Sequence, residues 1–166
     1  MKFVSIILGS KSDYEVMKSC SDTFDAFGVN FEMIISSAQR SPERTAQYIE
    51  EAEAKGAQCF IAASGMAAHL AGVISSKTVK PVIGVPMSVS ALSGIDALLS
   101  TVQMPAGMPV ATVAIGKAGA INSAYLAMQI LSLNNQELAV KLKEDRVAKA
   151  KKVEMDSQEI ETIIAS

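Results

Sequence analysis

The sequence predicts an α/β domain built on a doubly wound parallel sheet in three layers. Apolar runs of strand length recur along the chain with helical patterns between them. Several of these runs are continuous rather than alternating, as suits strands covered on both faces. The regular exchange of strand and helix then calls for crossover helices joining parallel neighbours. The chain has 166 residues, 49% of them apolar and 19% charged, which is enough for one compact domain over residues 1–166 with a substantial core.

The elements follow in order. "FVSIIL" (3–8) is the first strand, and the Gly-Ser-Lys-Ser-Asp turn directly behind it marks it as a strand rather than a signal segment. "DYEVMKSCSDTFDAFG" places Val16, Met17, Cys20, Phe24 and Phe27 near one helix face and stops at Gly28, a usual C-terminal glycine. "FEMIIS" (31–36) is the second strand. "PERTAQYIEEAEAKG" has proline at the first helical position and closes on Gly56. "QCFIAA" (58–63) is the third strand, "GMAAHLAGVISSKT" the next helix, and "PVIGVP" (81–86) the fourth strand.

A segment rich in Gly, Ser and Pro from Ser88 to Pro109 precedes the fifth strand, "VATVAIG" (110–116), and the helix "AGAINSAYLAMQILSL". Residues 135–166 read as a long charged C-terminal helix. Its thin apolar stripe, Leu138, Leu142 and Val147, suits either a solvated face or packing on a neighbouring subunit. The arrangement is flavodoxin-like.

Composition excludes several classes of function. A net charge of -2 provides no general basic surface for nucleic acid or anionic lipid. Cys20 and Cys59 lack a metal-type spacing and there is a single histidine, so a zinc site is not expected and both thiols read as reduced core residues. The longest apolar stretch is broken by Pro105, Gly107 and Pro109, short of the roughly 18 residues a membrane span needs. The expected location is the cytoplasm.

Open parallel sheets bind ligands beyond the carboxyl ends of their strands, which selects four loops. In "GSKSD", Gly9 admits a close backbone approach, Ser10 and Ser12 offer hydroxyls, and a helix opens near Asp13. The same residues suit a plain turn capped by Ser12 or Asp13. The loop lacks both the Walker ending and the three spaced glycines of a dinucleotide site. In "SSAQRSPE", Ser36, Ser37 and Ser41 supply small donors, Arg40 a forked cation and Pro42 a helix mouth, which together suit a phosphate. In "AASGMAAHLAG", Gly65, Ala67, Ala68, Ala71 and Gly72 leave room for a flat ligand and seat His69 about one turn into a helix. The fourth segment is a lid or wall, whose Met87, Met104 and Met108 either cover the ligand or fill the core.

Taken in order, "GSKSD", "SSAQRSPE", "GMAAHLAG" and "STVQMPAGMPVAT" followed by "AIGKAGA" closely resemble the bacterial 5-(carboxyamino)imidazole ribonucleotide mutases of purine biosynthesis. The likeness runs over residues 3–150. It implies a flavodoxin-like homo-octamer that moves a carboxylate from the exocyclic nitrogen to ring C4 of an aminoimidazole ribonucleotide, without metal, ATP or organic cofactor. By motif position Ser10 and Asp13 would bind the phosphoribosyl part, Asp13 toward the ribose hydroxyls. Ser37 and Arg40 would hold the phosphate, and Gly65, Ala67 and His69 would line the imidazole and carboxylate pocket, which in related enzymes lies between subunits.

Two departures stand out. The family reads Ser-Ala-His-Arg-Thr-Pro in the second loop, and this chain has Gln39 in place of the histidine to which the family assigns proton transfer. An amide cannot take or give a proton near pH 7, so binding is expected to survive with turnover strongly impaired. Met66 stands in a run that is closer to Ala-Gly-Gly-Ala-Ala-His-Leu in the family, and it narrows the pocket wall. Rival readings are a direct CO2-using carboxylase of the same fold and a non-catalytic phosphosugar- or flavin-binding module.

Overall fold

The computed structural model describes residues 2–165, with side-chain surroundings through Glu161. Its parallel sheet has the order β2-β1-β3-β4-β5. The strands are β1 (Phe3–Leu8), β2 (Phe31–Ile35), β3 (Ala57–Gly65), β4 (Val82–Met87) and β5 (Ala111–Thr112). The helices are α1 (Tyr14–Phe27), α2 (Pro42–Lys55), α3 (Leu70–Ser75), α4 (Ile95–Val102), α5 (Lys117–Ser132) and α6 (Gln136–Ala165). The flavodoxin-like α/β architecture and the long C-terminal helix are as the sequence predicts.

Burial follows the two-residue strand period. Ile7, Phe60 and Ala62 meet Tyr48, Ile49 and Ala52 of α2 and Leu70, Ala71 and Ile74 of α3 in one apolar cluster. Ser5 shares that face, and its buried hydroxyl lies 2.9 Å from the Tyr48 phenol, so neither polar group is left unpaired. The alternate residues Val4, Ile6, Cys59 and Ile61 are fully buried too, as a sheet covered on both sides requires. Cys20 of α1 lies 3.5 Å from the Ser123 hydroxyl of α5, and Cys59 is buried in β3. Both thiols are core residues, and burial pushes each pKa up to about 12.

Helix ends obey local rules. Gly28 closes α1 with φ 69° and Gly56 closes α2 with φ 110°, left-handed conformations that favour glycine. Pro42 opens α2 as predicted.

Three expectations need correction, and one helix goes beyond the sequence reading. The fifth strand pairs only through Ala111–Thr112, although Val113 N–H and Gly116 N–H still donate to the β4 carbonyls of Gly84 and Pro86. Pro86 has no N–H to return on that side, so the ladder ends. The Ser88–Pro109 segment is not all loop, since it contains α4. His69 is not one turn into a helix but the residue before α3, because residues 66–69 are used in a turn. Val147 is 68% exposed while Leu138 and Leu142 are buried: nine residues at 100° each set Val147 on the side of α6 opposite Leu138.

By contact density the chain divides into a unit ending at Ala127, which contains the sheet, and a unit beginning at Met128. Within the second unit, Gln129 and Ser132 of α5 and Leu142 and Arg146 of α6 line a hollow of about 200 Å³. Among the described residues no helix is long and apolar enough to cross a membrane, and no group of three or more His, Cys, Asp or Glu side chains is placed to hold a metal ion.

Candidate active site

Leu8 is in register with both Ile35 and Ala63, and Gly65 with Met87, so the loops that follow four strands leave the sheet at one edge. There they enclose a cavity of about 590 Å³. Gly9, Ser10, Ser12 and Asp13 line it after β1, Gln39 and Arg40 after β2, Ser64, Gly65, Met66 and Ala67 at the end of β3, and Val89 after β4. The chain runs outward from β1 in both directions, so the cavity sits at the strand-order switch point, where doubly wound sheets bind ligands. A second hollow of about 610 Å³ lies at the amino end of β4, between Ser75–Lys80 and Gly107–Pro109. Apart from Met108, the site residues predicted from the sequence do not line it.

The first loop is pinned at both ends. Gly9 N–H donates to Ala63 O at 2.9 Å, and a Cβ at Gly9 would come within 3.2 Å of Ser64 Cβ, so the close approach of the two loops favours glycine. Ser10 N–H donates to Asp13 Oδ2 at 3.0 Å, and the Ser10 hydroxyl reaches both Asp13 and Ser12. Asp13 is only 2% exposed. Burial raises its pKa above the ordinary 3.8, against the pull of the Ser10 bonds and the Arg40 charge.

The second loop is a serine-braced turn. Ser37 Oγ accepts Arg40 N–H at 3.1 Å, while Ser41 Oγ accepts Ser37 N–H and donates to Ser37 O, each at 3.1 Å. Ser37 itself stays behind the cavity wall. Ser36 is buried with its hydroxyl 2.7 Å from Thr45 Oγ1, which corrects the expectation that it faces a ligand. Arg40 Nη2 donates to Gly9 O at 3.2 Å and so ties this loop to the first. Gln39 Nε2 lies 2.7 Å from His69 Nδ1, a contact between the second and third loops that no sequence spacing announces.

The third loop turns tightly, with Ala68 N–H donating to Gly65 O at 3.0 Å. Met66 (φ 54°) and Ala68 (φ 39°) both adopt the left-handed region, which costs a non-glycine residue about 1–2 kcal/mol. Met66 is 62% exposed and forms part of the cavity wall. A Cβ at Gly65 would lie 2.0 Å from Val89 Cγ2, so glycine is what lets the fourth segment close against the third loop. Met87 is buried core and does not cover the cavity; Met104 packs beside Gly72, and Met108 borders the second hollow.

A 2-1-3-4-5 sheet whose switch-point loops bring hydroxyls, a carboxylate, a guanidinium and an amide around one hollow, with the His69 imidazole joined to it only through Gln39, defines a flavodoxin-like protein with a small-molecule site. The model of the AIR carboxylase family matches residues 3–152, and the chain belongs to that family. It is 49% identical over 150 residues to the N5-carboxyaminoimidazole ribonucleotide mutase of Brucella melitensis, covering 90% of this chain and 93% of the relative. Against the mutase of Bacillus subtilis it is 51% identical over 143 residues, 86% of this chain and 88% of the other. Against that of Escherichia coli K12 it is 47% identical over 150 residues, 90% and 89%. The crystal structure of Treponema denticola PurE superposes with a TM-score of 0.87 at 26% identity, covering 96% of this chain and 98% of that one.

Proposed function

We propose that the chain is a purine-biosynthesis mutase that converts N5-carboxyaminoimidazole ribonucleotide to its C4-carboxylated isomer, with turnover limited by Gln39. The observation that carries this reading is the cavity at the β1/β3 switch point, where three of the four motif loops and Val89 of the fourth segment converge. Arg40 and the Ser37-braced turn hold the phosphate, and Ser10 and Asp13 the phosphoribosyl part. Gly65, Ala67 and His69 receive the imidazole and its carboxylate.

In the reaction the N–carboxylate bond breaks to release CO2 within the site, and the nitrogen takes up a proton. C4 then attacks the CO2, and the C4 proton departs. One side chain that shuttles a proton typically contributes about a hundred- to ten-thousand-fold, and Gln39 stands where that group belongs. No metal or organic cofactor enters this scheme. The chain is proposed to assemble as a cytoplasmic homo-octamer with residues 135–166 packing on a neighbouring subunit. The exposure of Val153, Met155 and Ile160 along α6 supports that placement.

The test compares the chain with Gln39→His for conversion of the carboxyamino ribonucleotide, with ribonucleotide binding measured alongside. Histidine is expected to raise turnover about a hundredfold or more at similar affinity. Full turnover by the unaltered chain, or none by either, would remove position 39 from the proton path.

A further inference from the structure

Gln39 does more than leave the cavity short of one imidazole. Its Nε2 lies 2.7 Å from His69 Nδ1. An amide nitrogen has hydrogens to give and cannot accept, so with the amide in this orientation Nδ1 is the acceptor. In the neutral ring the single proton then sits on Nε2. His69 is also held at its backbone, where its carbonyl accepts Val73 N–H at 2.9 Å in the first turn of α3.

We propose that Gln39 is a positioning residue that sets the tautomer of His69, capping Nδ1 and leaving Nε2–H as the ring's one polar contact for a ligand. His69 so held is a hydrogen-bond donor, suited to a carboxylate, and not a proton acceptor. A proton can reach Nδ1 only after the amide breaks its bond and turns its oxygen toward the ring. The substitution therefore acts twice in the mutase scheme: it removes one imidazole and occupies the basic nitrogen of the other. The tautomer stands independently of that scheme; only its effect on turnover rests on the mutase reading.

The chain has one histidine, so nitrogen-15 spectra of its imidazole report on this ring alone. They are recorded at a pH where the ring is neutral. The unaltered chain is expected to favour Nε2–H over the ratio in a histidine peptide by about two- to tenfold, the bias one net hydrogen bond provides. Gln39→Ala should return the ratio to the peptide value. Gln39→Glu, whose carboxylate only accepts, should invert it toward Nδ1–H.

In the carboxylate-transfer assay Gln39→Ala should run about two- to tenfold faster than the unaltered chain, since the same hydrogen bond no longer holds Nδ1. A tautomer ratio unmoved in both variants overturns the proposal, whatever the assay shows. Ratios that shift as expected while no variant, Gln39→His included, turns over uphold the tautomer and sink the mutase reading. If Gln39→His is active and the ratios shift but Gln39→Ala gains nothing, the capped nitrogen is not what limits the unaltered chain.

Discussion

Arg40 offers the most direct test of what the cavity holds. Its guanidinium carries five N–H donors, and among the described residues its one side-chain hydrogen bond across the loops is to Gly9 O at 3.2 Å, so most of the fork remains for a ligand. A hydrogen bond to a charged group contributes about 1.5–3 kcal/mol, and each ~1.4 kcal/mol is tenfold in affinity. Arg40→Ala should therefore weaken ribonucleotide binding by roughly ten- to a hundredfold. The side chain is exposed, which places the effect toward the lower end and makes it shrink as salt rises and the screening length falls below about 10 Å. Titration calorimetry with aminoimidazole ribonucleotide and with the dephosphorylated riboside, at two salt concentrations, separates phosphate from the rest of the ligand. The variant should lose affinity for the nucleotide and keep it for the riboside. Equal losses for both would mean that Arg40 serves only to clamp the second loop to Gly9, and the phosphate assignment would fall.

Gly65→Ala should cost about 1–3 kcal/mol through overpacking against Val89, a fall of roughly 2–4 °C in Tm per kcal/mol. Adding Val89→Ala should recover part of that loss, with the Met87 carbonyl 3.3 Å from the new Cβ accounting for the remainder; an additive double mutant refutes the contact. Asp13 is an acid whose folded-state pKa is raised, so the unfolded chain binds fewer protons between 3.8 and that raised value, and stability falls as pH rises through this window. The Tm of Asp13→Asn relative to the unaltered chain should rise as pH increases above the ordinary carboxyl value of about 4, and a relative Tm that falls contradicts the burial argument. Cys20 and Cys59, with pKa values pushed up to about 12, should resist a thiol reagent in the folded chain and react promptly in denaturant; fast labelling at neutral pH would refute their enclosure.

The first four strands were legible to within about two residues because each is a buried apolar run between turn residues. The fifth run looks as strong in the sequence, yet its pairing depends on a donor that Pro86, on a different strand, does not have. Helix α4 was hidden by the Ser, Gly and Pro on either side, although Ile95, Leu98, Leu99 and Val102 recur at helical spacing and were the available signal. Of the predicted site residues, Ser10, Asp13, Gln39, Arg40, Gly65 and Ala67 line one cavity, His69 joins it through Gln39, and Ser37 lies behind its wall. The Gln39–His69 contact was beyond any spacing rule. It arises because β2 and β3 both flank β1, so their loops can meet beyond the end of β1.

The serine braces of the second loop bear on how such a site can change. Ser37, Ser41 and Thr45 bond to one another and to backbone groups, and Ser36 bonds to Thr45, so the turn keeps its shape without help from the side chain at its tip. Position 39 is thereby an interchangeable tool in a fixed holder. Under the proposed mutase reading, residues there can be exchanged to retune or silence chemistry while the ligand's seat persists, so that a single codon would separate a catalyst from a binder.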